Sequence, residues 1–379
     1  MTQTKYLIVG AGMTGDMASK GIREHDADGR IVVVGADPHP VYKRPLLTKG
    51  LWQGAPEEKL WREPADDVDL VTNCHIVGLN LDARTATTDS GEEFEWEKLL
   101  LATGATPREI PGSDGVVWFR TLDDYRLVRE KAEEGARFVV IGGGFIGSEI
   151  AAALVGAGVN VTMVFPEQGI GARLFPAHLA EFLADYYREK GVEVLVGETV
   201  NAASGTSVTL GDGRTLEADG VVGGLGVIPN TALAEAAGLE VNDGIVVDEY
   251  GRASGRDDVF AAGDVARFPV AALGISMRVE HEDHANTHGK VVGANMAGAE
   301  QPYDHLPFFY SDLFDLGYEA VGEVDSRLET VEDWQEPNRK GVVTYVEDGK
   351  PRGVLLWNVW DKVDDARELI RSGEGTFAV

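Results

Sequence analysis

The sequence predicts an α/β fold of two Rossmann-like units, the second inserted into the first, followed by a smaller α+β domain. Three observations carry this. The apolar run Tyr6-Leu7-Ile8-Val9 leads into Gly10-Ala11-Gly12-Met13-Thr14-Gly15, and Phe138-Val139-Val140-Ile141 leads into Gly142-Gly143-Gly144-Phe145-Ile146-Gly147. Both follow the strand, glycine loop, helix order that places a pyrophosphate at a helix N-terminus. Beyond residue 300 the pattern changes to recurring apolar strands and one charged helix.

The first unit is expected over residues 1–113 and 241–300. Glycines 10 and 12 let the backbone approach phosphates, and Gly15 lets the helix pack against the strand. A helix over residues 14–25 and the strand Ile31-Val32-Val33-Val34 follow, and Asp37 comes about 20 residues after the loop, where an acid hydrogen-bonds an adenosine ribose. The stretch from Tyr42 to Lys49 is basic within an acidic chain. Arg44 suits a pyrophosphate because its fork is bidentate, and Lys49 would favour an anionic reduced flavin by Coulomb attraction. An ordinary solvated basic loop is the plain alternative. Leu99-Leu100-Leu101-Ala102-Thr103-Gly104 reads as a buried strand ending in a turn. Val259-Phe260-Ala261-Ala262-Gly263-Asp264 reads as a strand with an acid at its tip, suited to ribityl hydroxyls or to a satisfied turn. A helix from about Glu282 to Met296 closes this unit.

The second unit spans residues 114–240. Its loop opens a helix through about Gly156, and Val159 to Val164 forms the next strand. Helical periodicity runs from Ala177 to Glu189, a turn sits at Gly211-Asp212-Gly213, and the run from Val221 through Gly226 to Asn230 ends the unit. This loop is expected to bind NAD(H). Phe165 ends the strand, and Glu167 two residues later could reach the adenosine ribose. No arginine occupies the strand end, so NADH is expected over NADPH, although Arg173 remains a candidate for a 2′-phosphate. Glu149 gains from the helix N-terminus. A Lys49–Glu149 ion pair across the two domains is the sharpest geometric expectation.

Residues 301–379 are expected to form the α+β domain, with strands at Glu319–Val324, Lys340–Val346 and Gly353–Trp360 and a helix at Val363–Ser372. Between Val324 and Gly341 only a short connection is expected.

Composition narrows the function. The formal net charge of −29 argues against nucleic acid and anionic membrane surfaces as partners, and it fits either a high-salt cytoplasm or an ordinary acidic protein. No run of about 18 apolar residues exists, so no membrane span is expected. The first strand starts at once, leaving no room for a signal peptide, so a cytoplasmic location is expected. The one cysteine, Cys74, cannot form an internal redox disulfide. In Arg278-Val279-Glu280-His281-Glu282-Asp283-His284, the two histidines lack further ligands at zinc spacing, so no metal is expected and a junction contacting a flavin is preferred. Paired dinucleotide loops imply FAD and NADH held face to face, with orientation doing more than acid–base chemistry.

Together these residues resemble the FAD-dependent pyridine nucleotide oxidoreductases, in particular the apoptosis-inducing factor group and the ferredoxin reductases of oxygenase systems. The most specific segments are Tyr42–Trp52, Gly142–Glu149, Phe165-Pro166-Glu167, Arg278–Ala285, Ser311-Asp312-Leu313 with Gly317-Tyr318-Glu319-Ala320, and Leu356-Trp357-Asn358. The resemblance implies FAD contacts at Gly10, Gly12, Gly15, Asp37, Arg44, Lys49, Thr103, Gly104, Arg108 and Asp264, with the Val77 backbone at the adenine. It implies that Phe145 flanks the nicotinamide, Glu149 pairs with Lys49, Glu167 holds the NAD ribose, and Glu280 and His281 lie by the rings. Tyr310 stands where apoptosis-inducing factors carry a tryptophan beside the isoalloxazine. The implied activity is hydride transfer from NADH to flavin N5, then electron transfer to a small carrier protein (ferredoxin or rubredoxin), a quinone or oxygen. A slow, NADH-responsive redox sensor or assembly factor is the alternative, and a homodimer stays open.

Overall fold

Two largely parallel sheets, with helices following Thr2–Val9, Val117–Trp118, Arg137–Ile141 and Asn160–Phe165, stand out in the computed structural model, which describes residues 1–378. The chain divides into two compact units.

The first unit comprises residues 1–43, 58–106 and 229–307. Its seven-stranded sheet has Thr2–Val9 near the centre, with Ile31–Val34 and then Val68–Val71 on one side and Glu93–Leu101 on the other. These pairings are parallel, as is that of Val259–Ala261 with Glu93–Leu101, in register Phe260 to Leu100. The hairpin strands Ile76–Asn80 and Thr85–Thr88 extend the sheet antiparallel. Ile8, Val33, Leu100 and Phe260 meet Ile22, Val292 and Met296 in one core. Helices Met13–His25 and Glu282–Met296 supply those last three residues and touch through glycines. A Cβ on Gly21 would lie 2.1 Å from the Lys290 carbonyl, and one on Gly293 would lie 2.1 Å from that of Ala18.

The second unit comprises residues 44–57, 107–228 and 308–378. Its parallel sheet runs Glu193–Val196, Asn160–Phe165, Arg137–Ile141, Gly220–Gly223, Val117–Trp118. Helices Phe145–Gly156 and Ala177–Glu189 follow its strands. The turn expected at residues 211–213 joins Ser207–Leu210 to Thr215–Glu217. A second, antiparallel sheet runs Phe308–Leu313, Leu316–Gly322, Lys350–Trp357, Lys340–Glu347, Glu329–Glu336, and helix Val363–Ser372 packs on it. Phe175 joins the two sheets, its ring edge-on to Tyr318 at 5.2 Å and to Trp357 at 5.4 Å.

Two elements depart from the sequence reading. The segment expected as a short connection before Gly341 contains the edge strand Glu329–Glu336. Its alternate residues Glu329, Val331, Asp333 and Gln335 are exposed and its other face is only half-buried, with Val331 on the exposed face and Glu332 on the half-buried one, so its one-sided burial is weakly marked. Phe308–Leu313 is also a strand, turning back at Phe314, a non-glycine residue with φ of 61°.

Candidate functional site: two glycine cradles and a lysine–glutamate pair

Each glycine of the first loop has a different physical task. Gly10 has φ of 122°, and a Cβ there would lie 2.0 Å from the Ala102 carbonyl oxygen. A Cβ on Gly15 would lie 2.1 Å from the Gly10 carbonyl oxygen. Gly12 meets nothing within 4 Å and caps helix Met13–His25 with extended backbone and no side-chain hydrogen bond. The start of this helix thus has no side-chain cap and open space where a Gly12 side chain would be, which fits a pyrophosphate. The second loop repeats this. Gly142 (φ 114°) would meet the Gly224 carbonyl at 2.4 Å, Gly147 the Gly142 carbonyl at 2.0 Å, and Gly144, the uncapped start of helix Phe145–Gly156, meets nothing. Ile146 packs toward Gly224, whose added Cβ would lie 3.4 Å from the Ile146 Cβ.

Around the first loop, Asp37 accepts the His39 amide on Oδ1 (3.0 Å) and the Tyr42 hydroxyl on Oδ2 (2.8 Å). Thr103 and Asn230 exchange side-chain to backbone hydrogen bonds of 2.8 Å each, and the Asn230 amide donates to Gly104. Val77 is an exposed residue of strand Ile76–Asn80. Asp264 lies in a single 3-10 turn, Gly263–Val265, just past the strand rather than on it. Arg278 braces that turn, donating to the Asp264 carbonyl at 3.2 Å and to Glu280 at 2.7 Å.

The segment from Glu280 onward holds a buried aromatic cluster. The Gly263 amide donates to His288 Nδ1 (3.3 Å), His288 Nδ1 lies 3.2 Å from His284 Nε2, and His284 Nδ1 lies 3.1 Å from the Tyr303 hydroxyl. His284 and His288 are fully buried, and burial pushes both well down, His288 to about 3. His281, the half-buried N-cap of this helix, is lowered to about 4 by desolvation against the opposing pull of Asp264 and Asp283. Among the described residues, no group of three or more His, Cys, Asp or Glu side chains is placed to share a metal ion. No described helix is long and apolar enough to cross a membrane.

In the second unit, Arg44 begins the 3-10 turn Arg44–Leu47, and the Arg108 amide donates to the carbonyl of Gly226 (φ 81°) at 2.9 Å. Glu167 follows strand Asn160–Phe165, and its Oε1 lies 3.0 Å from Arg173 Nη2. Arg173 sits in the turn ahead of helix Ala177–Glu189. Phe145 stands edge-on to Phe309 at 5.1 Å.

The Lys49–Glu149 pair is present: Nζ lies 3.3 Å from Oε1. Both residues belong to the second unit, so the pair expected across two domains forms inside one. Glu149 sits just beyond the first turn of its helix, not within it. Three further groups surround this pair, and of these the sequence reading assigns only Tyr310 a place by the flavin. Thr48 donates to Glu149 Oε2 at 2.5 Å, Ser311 donates to Oε1 at 2.6 Å, and Lys49 Nζ stands 3.9 Å from the centre of the Tyr310 ring. Thr48 and Ser311 both fall in segments that carry the resemblance, but nothing in the sequence pairs either with Glu149, and Ser311 lies 162 positions from it.

A family profile described as pyridine nucleotide-disulphide oxidoreductase matches residues 4–289. The chain belongs to that family. A second profile, the C-terminal region of the mitochondrion-associated apoptosis-inducing factor, matches residues 292–338. The chain is 32% identical to apoptosis-inducing factor 1, mitochondrial, of Dictyostelium discoideum, over 97% of this chain and 78% of the relative. It is 32% identical to the ferredoxin–NAD(+) reductase component of the anthranilate 1,2-dioxygenase system of Burkholderia cepacia, over 98% and 95% of the two chains. The covalent putidaredoxin reductase–putidaredoxin complex contains a chain of the same fold, with a TM-score of 0.91, 28% identity and coverage of 98% and 94%. The protein is thus an FAD-dependent pyridine nucleotide oxidoreductase of the ferredoxin reductase-like kind. The family uses FAD and NAD(P)H, and the two open glycine cradles fit such dinucleotides.

Proposed function

We propose that this oxidoreductase takes its electrons from NADH and delivers them to a small electron-carrier protein of the ferredoxin class, without a redox disulfide. The observation that carries the reading is the pair of uncapped, side-chain-free glycine cradles in one chain. The ferredoxin–NAD(+) reductase relative and the putidaredoxin reductase complex support a protein acceptor over a quinone or oxygen. The single cysteine supports electron exit without a cysteine pair.

FAD held by the first loop would supply the hydride-accepting and electron-passing chemistry, with a reduced nicotinamide held by the second. The chain's residues take the following parts. Gly10, Gly12 and Gly15 cradle the FAD pyrophosphate, Asp37 meets the adenosine ribose, and Asp264 meets the ribityl hydroxyls. Gly142, Gly144 and Gly147 cradle the NADH pyrophosphate, and Glu167 accepts from its ribose hydroxyls, which favours NADH. Lys49 supplies a positive charge toward the flavin. Phe145, backed by Phe309, orders the nicotinamide. The acidic chain calls for a carrier that meets a locally basic surface or is itself weakly acidic.

The decisive experiment is an anaerobic titration of the yellow protein with NADH and with NADPH, followed by turnover with a ferredoxin, a rubredoxin, a quinone and oxygen. Bleaching by NADH and rapid turnover with one iron–sulfur carrier are expected. Bleaching at lower NADPH concentrations overturns the nucleotide assignment. The match to the apoptosis-inducing factor C-terminal region favours a second reading, a slow NADH-responsive sensor. Slow turnover with every acceptor, alongside a stable coloured complex, would select it.

A further inference from the structure

We propose that Thr48, Ser311 and Tyr310 are positioning residues that hold the Lys49 ammonium at one place, the first two through Glu149 and the third directly. This rests on the reading that Lys49 acts on the flavin.

A lysine is a poor fixed charge. Its four-carbon stem has many rotamers, and its three donors rotate freely. Three separate segments remove that freedom here. The Lys49 side chain is only 14% exposed. Glu149 comes from helix Phe145–Gly156 and is buried, with each carboxylate oxygen held by a different hydroxyl. Thr48 fixes Oε2 and Ser311 fixes Oε1, so the carboxylate cannot turn about its last bond. Oε1 is then presented to Lys49 at 3.3 Å. Strand Phe308–Leu313 brings two more groups. The Tyr310 ring receives the ammonium at 3.9 Å from its centre, a cation–π contact that is stronger for being partly desolvated. Asp312 lies 3.7 Å from Nζ, but its side chain is 55% exposed, so solvent screens it.

The other groups that feel Glu149 are phenols. Tyr187 and Tyr318 are pushed well up by burial first and by the Glu149 charge second. Tyr187 donates to the Ser148 carbonyl. Lys49 is the cation paired with Glu149, at 3.3 Å. The two hydroxyls do not touch the ammonium, and they act on it only through the carboxylate they lock.

The test uses the FAD-loaded protein and reads the midpoint potential of the flavin together with the rate of anaerobic reduction by NADH. Lys49→Ala removes the positive charge and lowers the potential. Thr48→Val keeps shape and deletes the hydroxyl, and Ser311→Ala does the same in a fully buried site. Both should lower the potential in the same direction and slow reduction about tenfold, close to the loss of one charge-assisted hydrogen bond. Thr48→Ser should restore wild-type behaviour. Tyr310→Phe keeps the ring and should keep both readouts, whereas Tyr310→Leu should lower the potential. Melting of each apoprotein near the wild-type temperature separates positioning from misfolding, and Thr48→Val serves if Ser311→Ala does not fold. If Lys49→Ala shifts the potential and Thr48→Val and Ser311→Ala do not, the positioning role is overturned while the role of Lys49 stands. If Lys49→Ala shifts nothing, the proposal falls with it. A wild-type flavin that NADH fails to bleach removes the underlying function instead.

Discussion

Arg173 folds back onto Glu167, its Nη2 3.0 Å and its Nε 3.1 Å from Oε1. The arginine side chain is 86% exposed and the glutamate 27% exposed, so solvent screens the bridge and it breaks readily.

That weakness bears on nucleotide choice. A carboxylate beside the adenosine ribose accepts from both ribose hydroxyls and repels a 2′-phosphate, and an arginine one bond rotation away does the opposite. Glu167→Gln should remove the repulsion and release Arg173. The ratio of kcat/KM for NADPH over NADH is expected to rise about tenfold, roughly 1.4 kcal/mol. Steady-state kinetics with both nucleotides checks this. An unchanged ratio would place the ribose elsewhere.

The glycine loops separate folding from binding. Gly10 has φ of 122°, and any side chain there meets the Ala102 carbonyl at 2.0 Å. Gly10→Ala should cost about 3 kcal/mol of stability through strain and backbone displacement. Gly12 has φ of −89° with open space before it. Gly12→Ala should leave the apoprotein melting temperature unchanged and weaken FAD about 10- to 100-fold, because a methyl group then occupies the pyrophosphate approach. Calorimetry of the apoprotein and fluorescence titration with FAD distinguish the two. Equal effects of both substitutions on melting would contradict the division of labour.

Much of this was legible in the sequence, and the reasons differ by element. Helices Ala177–Glu189, Glu282–Met296 and Val363–Ser372 were readable to their ends because apolar spacing and flanking residues agree. The glycine loops were readable because only glycine tolerates φ of 122° and 114° at Gly10 and Gly142. Strand Glu329–Glu336 was not, because an edge strand carrying four acids spread over both faces resembles a solvated loop. The Lys49–Glu149 pair could be anticipated from a basic loop and a helix start. Its anchors could not, since Ser311 reaches Glu149 through sheet pairing far along the chain. His281 and His284 were weighed as metal ligands and set aside, and the burial of His284 against Phe268 and Tyr303 shows in no local pattern.

Trp357 should be the most costly single truncation in the C-terminal sheet. It is fully buried, stacked on Tyr318 with an interplanar angle of 5°, edge-on to Phe175, and donates to the Asn338 carbonyl at 3.0 Å. Trp357→Ala is expected to lose about 3 to 5 kcal/mol in urea unfolding. Trp357→Phe should lose distinctly less, since the ring contacts survive and only the hydrogen bond and some volume go. A loss below about 1 kcal/mol for Trp357→Ala would show that the aromatic stack does not couple the two sheets.

Acid should destabilise the first unit earlier than carboxylate titration alone allows. His284 and His288 are fully buried, lie 3.2 Å apart between ring nitrogens, and share one hydrogen-bonded chain from the Gly263 amide to the Tyr303 hydroxyl. Burial lowers both, His288 to about 3 and His284 well below its ordinary value of 6.5. In the unfolded chain both bind protons near pH 6.5, while the folded chain refuses them. The unfolded state therefore holds more protons below that pH, and stability rises with pH across the window. Each histidine adds up to about 1.4 kcal/mol per pH unit, fully developed below pH 6 and continuing toward pH 3. Asp315, held down to about 2 by Lys190 and Tyr186, contributes its loss only once the pH falls below about 4. Urea unfolding from pH 7 to pH 5 reads the lowered histidines together, His281 at about 4 included, and His284→Phe and His288→Phe variants separate the pair from it. A stability profile flat across that interval would mean that His284 and His288 take up protons without leaving the fold, and that the chain to Tyr303 does not depend on their neutral form.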